Sequence, residues 1–509
     1  MTVGPTVLGL RPRAAAESAP ARVRSVRGAA STLGALAVLV GFAGAWVPSA
    51  WGDEAATMSG ALRDLPALLR LTTQVDAVHG VYYAVAHGWL ALTGESVVAL
   101  RLLSALAVGA AVAGTVVLAD RLASRRVAVV AGLVLLALPR MTWAATEGRS
   151  AALATALAVW TTVALVSAVG APRSRWRWVV YGALVAAGTC TWMLLALLPA
   201  AHLVGLLWWR RSWRALVAPA VAVVAGWCVA APFLLVAVGQ RGQVGWIPAP
   251  GLRTLRQVGL DQWFGTTPWS SLPLALVCWS LVAVAVVTHL RRGVGAGGVV
   301  PLAAAWLVLP PLAAIAWSVV ASPLYVPKYL AFTAPALALL VAVGVDALAR
   351  DRARLVGVTA VVVLLAAPAW YEERTPTAKD RSDWADVADG VRAGAATGDA
   401  VVFSDLHDAD GRVRVPARAI AVAYPGAFVG LRDVTRDPVA AAEGRLWDLS
   451  VPVADAGREL AAVDRVWWVV DHRSGVQGAQ REDLERLGFH VVSVDEQTSA
   501  DVVLLEREG

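Results

Sequence analysis

Long uncharged apolar runs, punctuated by short arginine clusters, constrain this chain more than any other feature. The clusters are Arg121 to Arg126, Arg173 to Arg177, Arg210 to Arg214, Arg291-Arg292 and Arg350 to Arg354. A run of about 20 apolar residues spans a bilayer as a helix, because a helix satisfies every backbone N–H and C=O where no water can. Cytoplasmic loops hold the Lys/Arg excess. If all the clusters share that side with the basic N-terminal segment, a pair of crossings must lie between each neighbouring pair. The chain therefore reads as a mainly α, polytopic membrane protein of about eleven transmembrane helices. They fall near 31–50, 99–119, 127–141, 150–169, 178–191, 193–208, 215–237, 271–289, 298–320, 329–347 and 355–371. Only 16% of residues are charged, against about 25% in soluble domains, and mean hydropathy is +0.62.

Residues 1–30 hold Arg11, Arg13, Arg22, Arg24 and Arg27 among Ala, Ser and Pro, which reads as a disordered cytoplasmic tail. A cleaved signal peptide is the rival; the charge-free run from Gly28 to Gly52 is long enough to span, which favours an uncleaved first helix. Cys190, Cys228 and Cys278 all sit in apolar runs, as packing residues and not a disulfide framework. The net charge of +7 is distributed as topology requires and does not form a nucleic-acid surface.

The membrane module thus covers 31–372, and its map places one set of polar groups outside. The set comprises loop 51–95, read as interfacial helices, with Asp53, Glu54, Asp76 and His79; Glu147-Gly148-Arg149; loop 239–270; and Lys328. Residues 373–509 have a soluble composition, with helices near Asp383 to Ala395, Pro452 to Ala462 and Arg481 to Leu487. Strands are expected at Ala400 to Ser404, Arg465 to Val470, His490 to Val494 and Val502 to Leu505, a small extracytoplasmic α/β domain. It carries no GxGxxG, P-loop or metal-spaced cluster. Asp405, His407, Asp408 and Asp410 form its one dense polar group, a cation site or a solvated loop.

An ordered series of segments resembles the GT-C superfamily of membrane glycosyltransferases, above all bacterial relatives of protein O-mannosyltransferases and the aminoarabinose lipid A transferase, often called family 39-like. The series runs through GDEA after the first span, HGVYYAVAHGWLALTGESVVALRLLSAL, TEGRSAAL, VGWIPAPGLRTL, SPLYVPKYLAFTAPALALL and KDRSDWADVADGVRAGAATGDAVVF. Gly80-Val81 stands where relatives usually carry two prolines, and Lys328 where they usually carry arginine. The resemblance implies transfer of a sugar, mannose or arabinose-like, from a polyprenyl phosphate to an extracytoplasmic hydroxyl with inversion. The acceptor is a glycan, lipid or protein of the cell envelope. The enzyme is a multi-pass plasma-membrane protein with a cytoplasmic N-terminus.

That chemistry needs a base for the hydroxyl proton and a cation for the leaving phosphate. Asp53 is the first choice for the base, with burial raising its pKa toward the useful range, and Glu54 is the alternative. Glu147 and Arg149, with His79 and Asp76, would orient base or acceptor, and Lys328, with Arg101, would hold the phosphate. Trp246 and Trp263 would stack on a sugar or belong to a lid. The bland alternatives are a helix end for the acidic pair, a dipole partner for Glu147, a snorkelling lysine and interface anchors for the tryptophans. No cofactor is required; a divalent metal on Asp53, His79 and Glu147 is the alternative.

Two other classes fit a chain of this shape. A transporter or lipid flippase would place ionisable groups near the bilayer midplane, whereas here they gather at one rim. A non-catalytic assembly protein would use the external domain alone.

Overall fold

The structure, a computed structural model, describes residues 19–293, 297–405 and 415–507. His407, Asp408 and Asp410, and residues 1–18 of the expected tail, lie outside the described residues. Every segment expected to cross is helical over most of its length. Among the described residues eight helices are long and apolar enough to span, and a ninth is the bent pair Arg125–Ala137 and Pro139–Ala145, broken by 62° at Leu138-Pro139. Pro139 explains the break, since proline cannot donate to the helix and restricts the residue before it. The other two expected spans are the shorter apolar helix Val26–Phe42 and Arg175–Thr191, which has 17 residues.

The first helix differs in register from its expectation. It covers Ala19–Phe42, beginning inside the expected tail and ending before residue 50. Gly44 takes φ +73°, a conformation open chiefly to glycine, and the chain then runs irregularly to Trp51. Asp53 and Glu54 consequently stand in the first turn of a new helix, Gly52–Ala61, where the positive end of the helix dipole favours carboxylates. Leu65–Gln74, a short turn at Ala77–His79, and Gly80–Thr93 complete the interfacial region before the long span Val97–Leu122.

The C-terminal region builds one five-stranded sheet, in the order Arg432–Asp433, Ala400–Phe403, Arg465–Asp471, Ala500–Arg507, Phe489–Asp495. Its first three strands are parallel and its last two antiparallel to their neighbours. The four longer strands match the expected ones; the short strand Arg432–Asp433 and the hairpin Arg436–Asp437 with Leu449–Ser450 were not anticipated, being too short to show alternation. Trp384–Gly394 and Gln477–Arg486 form as helices, while the expected helix at Pro452 to Ala462 is two short turns.

The sheet region is not a separate ball on a tether. Trp384, Val387, Phe403 and Ile420 share one apolar core with Ala55 and Met58 of the Gly52–Ala61 helix and with Leu100. A cleft of about 1360 Å³ is left between the two parts, bounded by Trp51, Asp53, Glu147 and Lys328 on one side and by the Glu443 to Ser450 segment on the other.

Candidate functional site

The two neighbouring carboxylates of the Gly52–Ala61 helix meet opposite fates. Successive residues on a helix point about 100° apart, so one faces the cleft and the other the core. Asp53 retains 37% of its side-chain exposure and lines the cleft. Its Oδ2 lies 3.3 Å from Lys328 Nζ and its Oδ1 3.6 Å from Arg149 Nη2. Burial acts to raise its pKa, but the charges of Arg149 and Lys328 outweigh it and hold the carboxyl below its ordinary value. This reverses the sequence expectation, in which burial alone was considered. Asp53 is ionised at neutral pH and ready to accept a proton.

Glu54 is fully buried. Both its oxygens take a bidentate pair from Arg101, at 2.8 and 2.6 Å, and Oε1 also accepts from the Gly148 N–H at 2.8 Å. The remaining Arg101 donors reach the carbonyls of Ala45, Pro48 and Ser49. Neither group borders the cleft, and each has its polar atoms occupied. Glu54 as alternative base and Arg101 as phosphate ligand are therefore corrected: the pair fastens the irregular segment before Trp51.

Arg149 gathers the polar residues of the interfacial loop. Besides Asp53 it donates to Tyr83 Oη at 3.3 Å and Thr57 Oγ1 at 3.4 Å, and faces His79 Nε2 at 3.3 Å. Burial, with the Arg149 charge beside it, pushes the His79 imidazole down to about 4, so it is neutral and accepts through Nε2. Asp76, in the left-handed conformation at φ 55°, accepts from Tyr83 Oη at 2.8 Å, the hydroxyl that Arg149 also donates to. Among the described residues no three His, Cys, Asp or Glu side chains are arranged to hold a metal ion. Asp53, His79 and Glu147 share the cleft, but the Arg149 guanidinium stands between the first two, where a cation binding both would sit.

Glu147 is buried, with Oε1 accepting from the Trp51 indole N–H at 2.9 Å and Oε2 3.2 Å from Lys379 Nζ. Burial is the main cause that pushes its carboxyl up, to about 6; Lys379 opposes this and Glu54 adds to it. Lys328, from the turn Pro327–Thr333 that opens its span, rests 4.5 Å over the Trp51 ring while reaching Asp53. Trp246 lines the cleft and is 45% exposed. Trp263 does not: it is 2% exposed, donates to Thr333 Oγ1 at 2.9 Å and packs edge-on against Trp279. Its expected sugar or lid role is corrected to a core role, because the Gln262–Phe264 turn packs back onto the spans, whereas the 239–246 part of the same segment lines the cleft. Trp51, Lys379 and Tyr83 were missed as site residues; Trp51 carried a signal, standing beside the acidic pair, and Lys379 opens the resembling KDRSDW segment without anything there that points to Glu147.

What converges on Asp53 is a pair of cations, Lys328 and Arg149, with the Trp51 ring against Lys328, in a large cleft. The backbone around it is that of solved proteins. ArnT from Cupriavidus metallidurans in the apo state superposes with a TM-score of 0.58 at 15% identity, over 96% of this chain and 98% of that one. The same protein bound to undecaprenyl phosphate gives 0.56 at 16%, with equal coverage. This chain has the GT-C fold. The family model described as dolichyl-phosphate-mannose-protein mannosyltransferase matches residues 81–236 of the GT-C module, a stretch that includes Glu147 and Arg149 but begins after Asp53. No curated protein matches the chain.

Proposed function

We propose that this chain is an integral-membrane glycosyltransferase that moves a sugar from a polyprenyl-phosphate donor to a hydroxyl acceptor with inversion. The observation that carries the reading is Asp53, an ionised carboxylate in the cleft held against Lys328 and Arg149. The structural relative crystallised with undecaprenyl phosphate and the mannosyltransferase family match support a polyprenyl-linked donor. In this reading the donor phosphate takes up Lys328 and Arg149, leaving Asp53 to accept the acceptor hydroxyl's proton. The hydroxyl oxygen attacks the anomeric carbon, the bond from that carbon to the phosphate oxygen breaks with its electron pair passing to that oxygen, and the two cations stabilise the departing phosphate's charge. Removing cations from Asp53 raises its proton affinity at the moment it is needed. The sugar is mannose or arabinose-like and the acceptor an envelope glycan, lipid or protein. The cleft faces outward from the plasma membrane with the N-terminus in the cytoplasm. The chain's own cations suffice for the leaving group, so no cofactor is invoked.

The test is transfer of radiolabelled sugar from polyprenyl-phosphate donors by wild type and Asp53→Asn. A positioned base is worth about 10²- to 10⁴-fold, so the variant should bind donor yet lose transfer by that factor. Retained transfer by Asp53→Asn, or none by wild type with any donor, sinks the reading; the second result moves a transporter or assembly role ahead.

A further inference from the structure

Lys379 lies just past the last span, which ends at Glu372, yet its side chain folds back and is buried. Its Nζ stands 3.2 Å from Glu147 Oε2, 3.2 Å from Glu373 Oε2 and 3.0 Å from Thr146 Oγ1. The two residues that follow, Asp380 and Arg381, have φ of 50° and 56°. Consecutive non-glycine residues in the left-handed region persist only where the surroundings over-determine them. Here the surroundings are the segment before Trp51 on one side and the sheet region on the other: Ser382 Oγ donates to Ala50 O, Ser49 N–H donates to Pro376 O at 2.7 Å, and Asp383 accepts from Ser499. Burying an ammonium is costly unless it is paired and hydrogen-bonded, as Lys379 is by Glu147, Glu373 and Thr146. One of these partners leads to the cleft. Glu147 and Trp51 line it and Lys379 does not.

We infer that Lys379 is a positioning residue of the transfer site: it holds Glu147, Glu147 fixes the Trp51 indole, and Trp51 seats Lys328 beside Asp53. Seating of the C-terminal region and assembly of the catalytic centre are thereby one event. The inference rests on the glycosyltransferase reading for its kinetic consequence. The charged groups facing Glu147 are Lys379 and Glu373 from the last span's end, Glu54 with its partner Arg101, Arg140, Asp53 and Lys328.

The experiment compares Lys379→Met, Lys379→Arg and Lys379→Met/Glu147→Gln with wild type, in transfer kinetics and in thermal unfolding of the purified protein in detergent between pH 5 and 8. A small misplacement of catalytic groups costs about 10²-fold, so Lys379→Met should lower kcat by about 10- to 100-fold, with a smaller rise in donor KM because Arg149 still meets the phosphate. Lys379→Arg should restore most of kcat, and the double variant should be no worse than Lys379→Met. The unfolding midpoint of Lys379→Met should fall as pH rises, since an unpaired buried carboxylate is destabilising once ionised, and Glu147→Gln should abolish that fall. Unchanged kcat in Lys379→Met, or additive losses in the double variant, overturns the inference. If wild type transfers nothing, the function reading fails by itself. The unfolding series still decides the Lys379–Glu147 link, and a midpoint with no pH dependence in Lys379→Met overturns it.

Discussion

Asp53 and Glu54 are adjacent in sequence and chemically almost alike, and their surroundings assign them different work. Lys328 and Arg149 hold Asp53 below the ordinary carboxylate value of about 3.9, so in the free enzyme it stays ionised down to at least that pH. Because kcat/KM reports free-enzyme groups, an acid limb from Asp53 should lie below the ordinary carboxylate range in that parameter and higher in kcat, once phosphate has drawn the cations away. Glu147, whose carboxyl burial pushes up to about 6, protonates as pH falls and should give its own acid limb above that of Asp53; that limb should vanish in Glu147→Gln. Persistence of that limb in the variant would reassign it. Glu54, by contrast, has Arg101 as its buried partner. Removing one member of such a pair costs about 3–5 kcal/mol, so Arg101→Met should lower the unfolding midpoint sharply and Arg101→Met/Glu54→Gln should recover part of the loss.

At the scale of elements, the irregular stretch from Ala43 to Trp51 decides where the carboxylates go. It was read as the end of the first span because its residues are apolar, and hydropathy does not distinguish a helix from a loop tied down by other parts of the chain. Arg101 supplies the ties, donating to three carbonyls that a helix would have satisfied internally. Trp263 was misjudged for a related reason: an aromatic in a long polar loop looks available until the loop packs. Close helix contacts carry similar information. A Cβ on Gly344 would meet the backbone of Leu281 in the neighbouring span Ser271–Arg292. Gly344→Ala should therefore force those helices apart at a cost of about 1–3 kcal/mol, seen as a lower unfolding midpoint at unchanged donor specificity.

At the scale of the whole molecule, the C-terminal region and the membrane module share a core and jointly hold the segment before Asp53. Ala50 N–H donates to Tyr424 Oη at 2.7 Å, from a residue that does not touch the cleft. Tyr424→Phe leaves that N–H without its acceptor, a penalty of about 1–3 kcal/mol, and should reduce both stability and transfer; full activity would show that the two parts work independently. The membrane class, the positions of the spans after the first, the four longer strands and the candidacy of Asp53, Arg149 and Lys328 were all readable from the residues, because hydropathy runs, alternation and charges near apolar boundaries are local signals. Which of two adjacent carboxylates faces the cleft, that Arg101 is consumed by Glu54, and that Lys379 returns to Glu147 were decided only in three dimensions. Each depends on partners dozens to hundreds of residues away, and a local pattern carries no information about contacts at that separation.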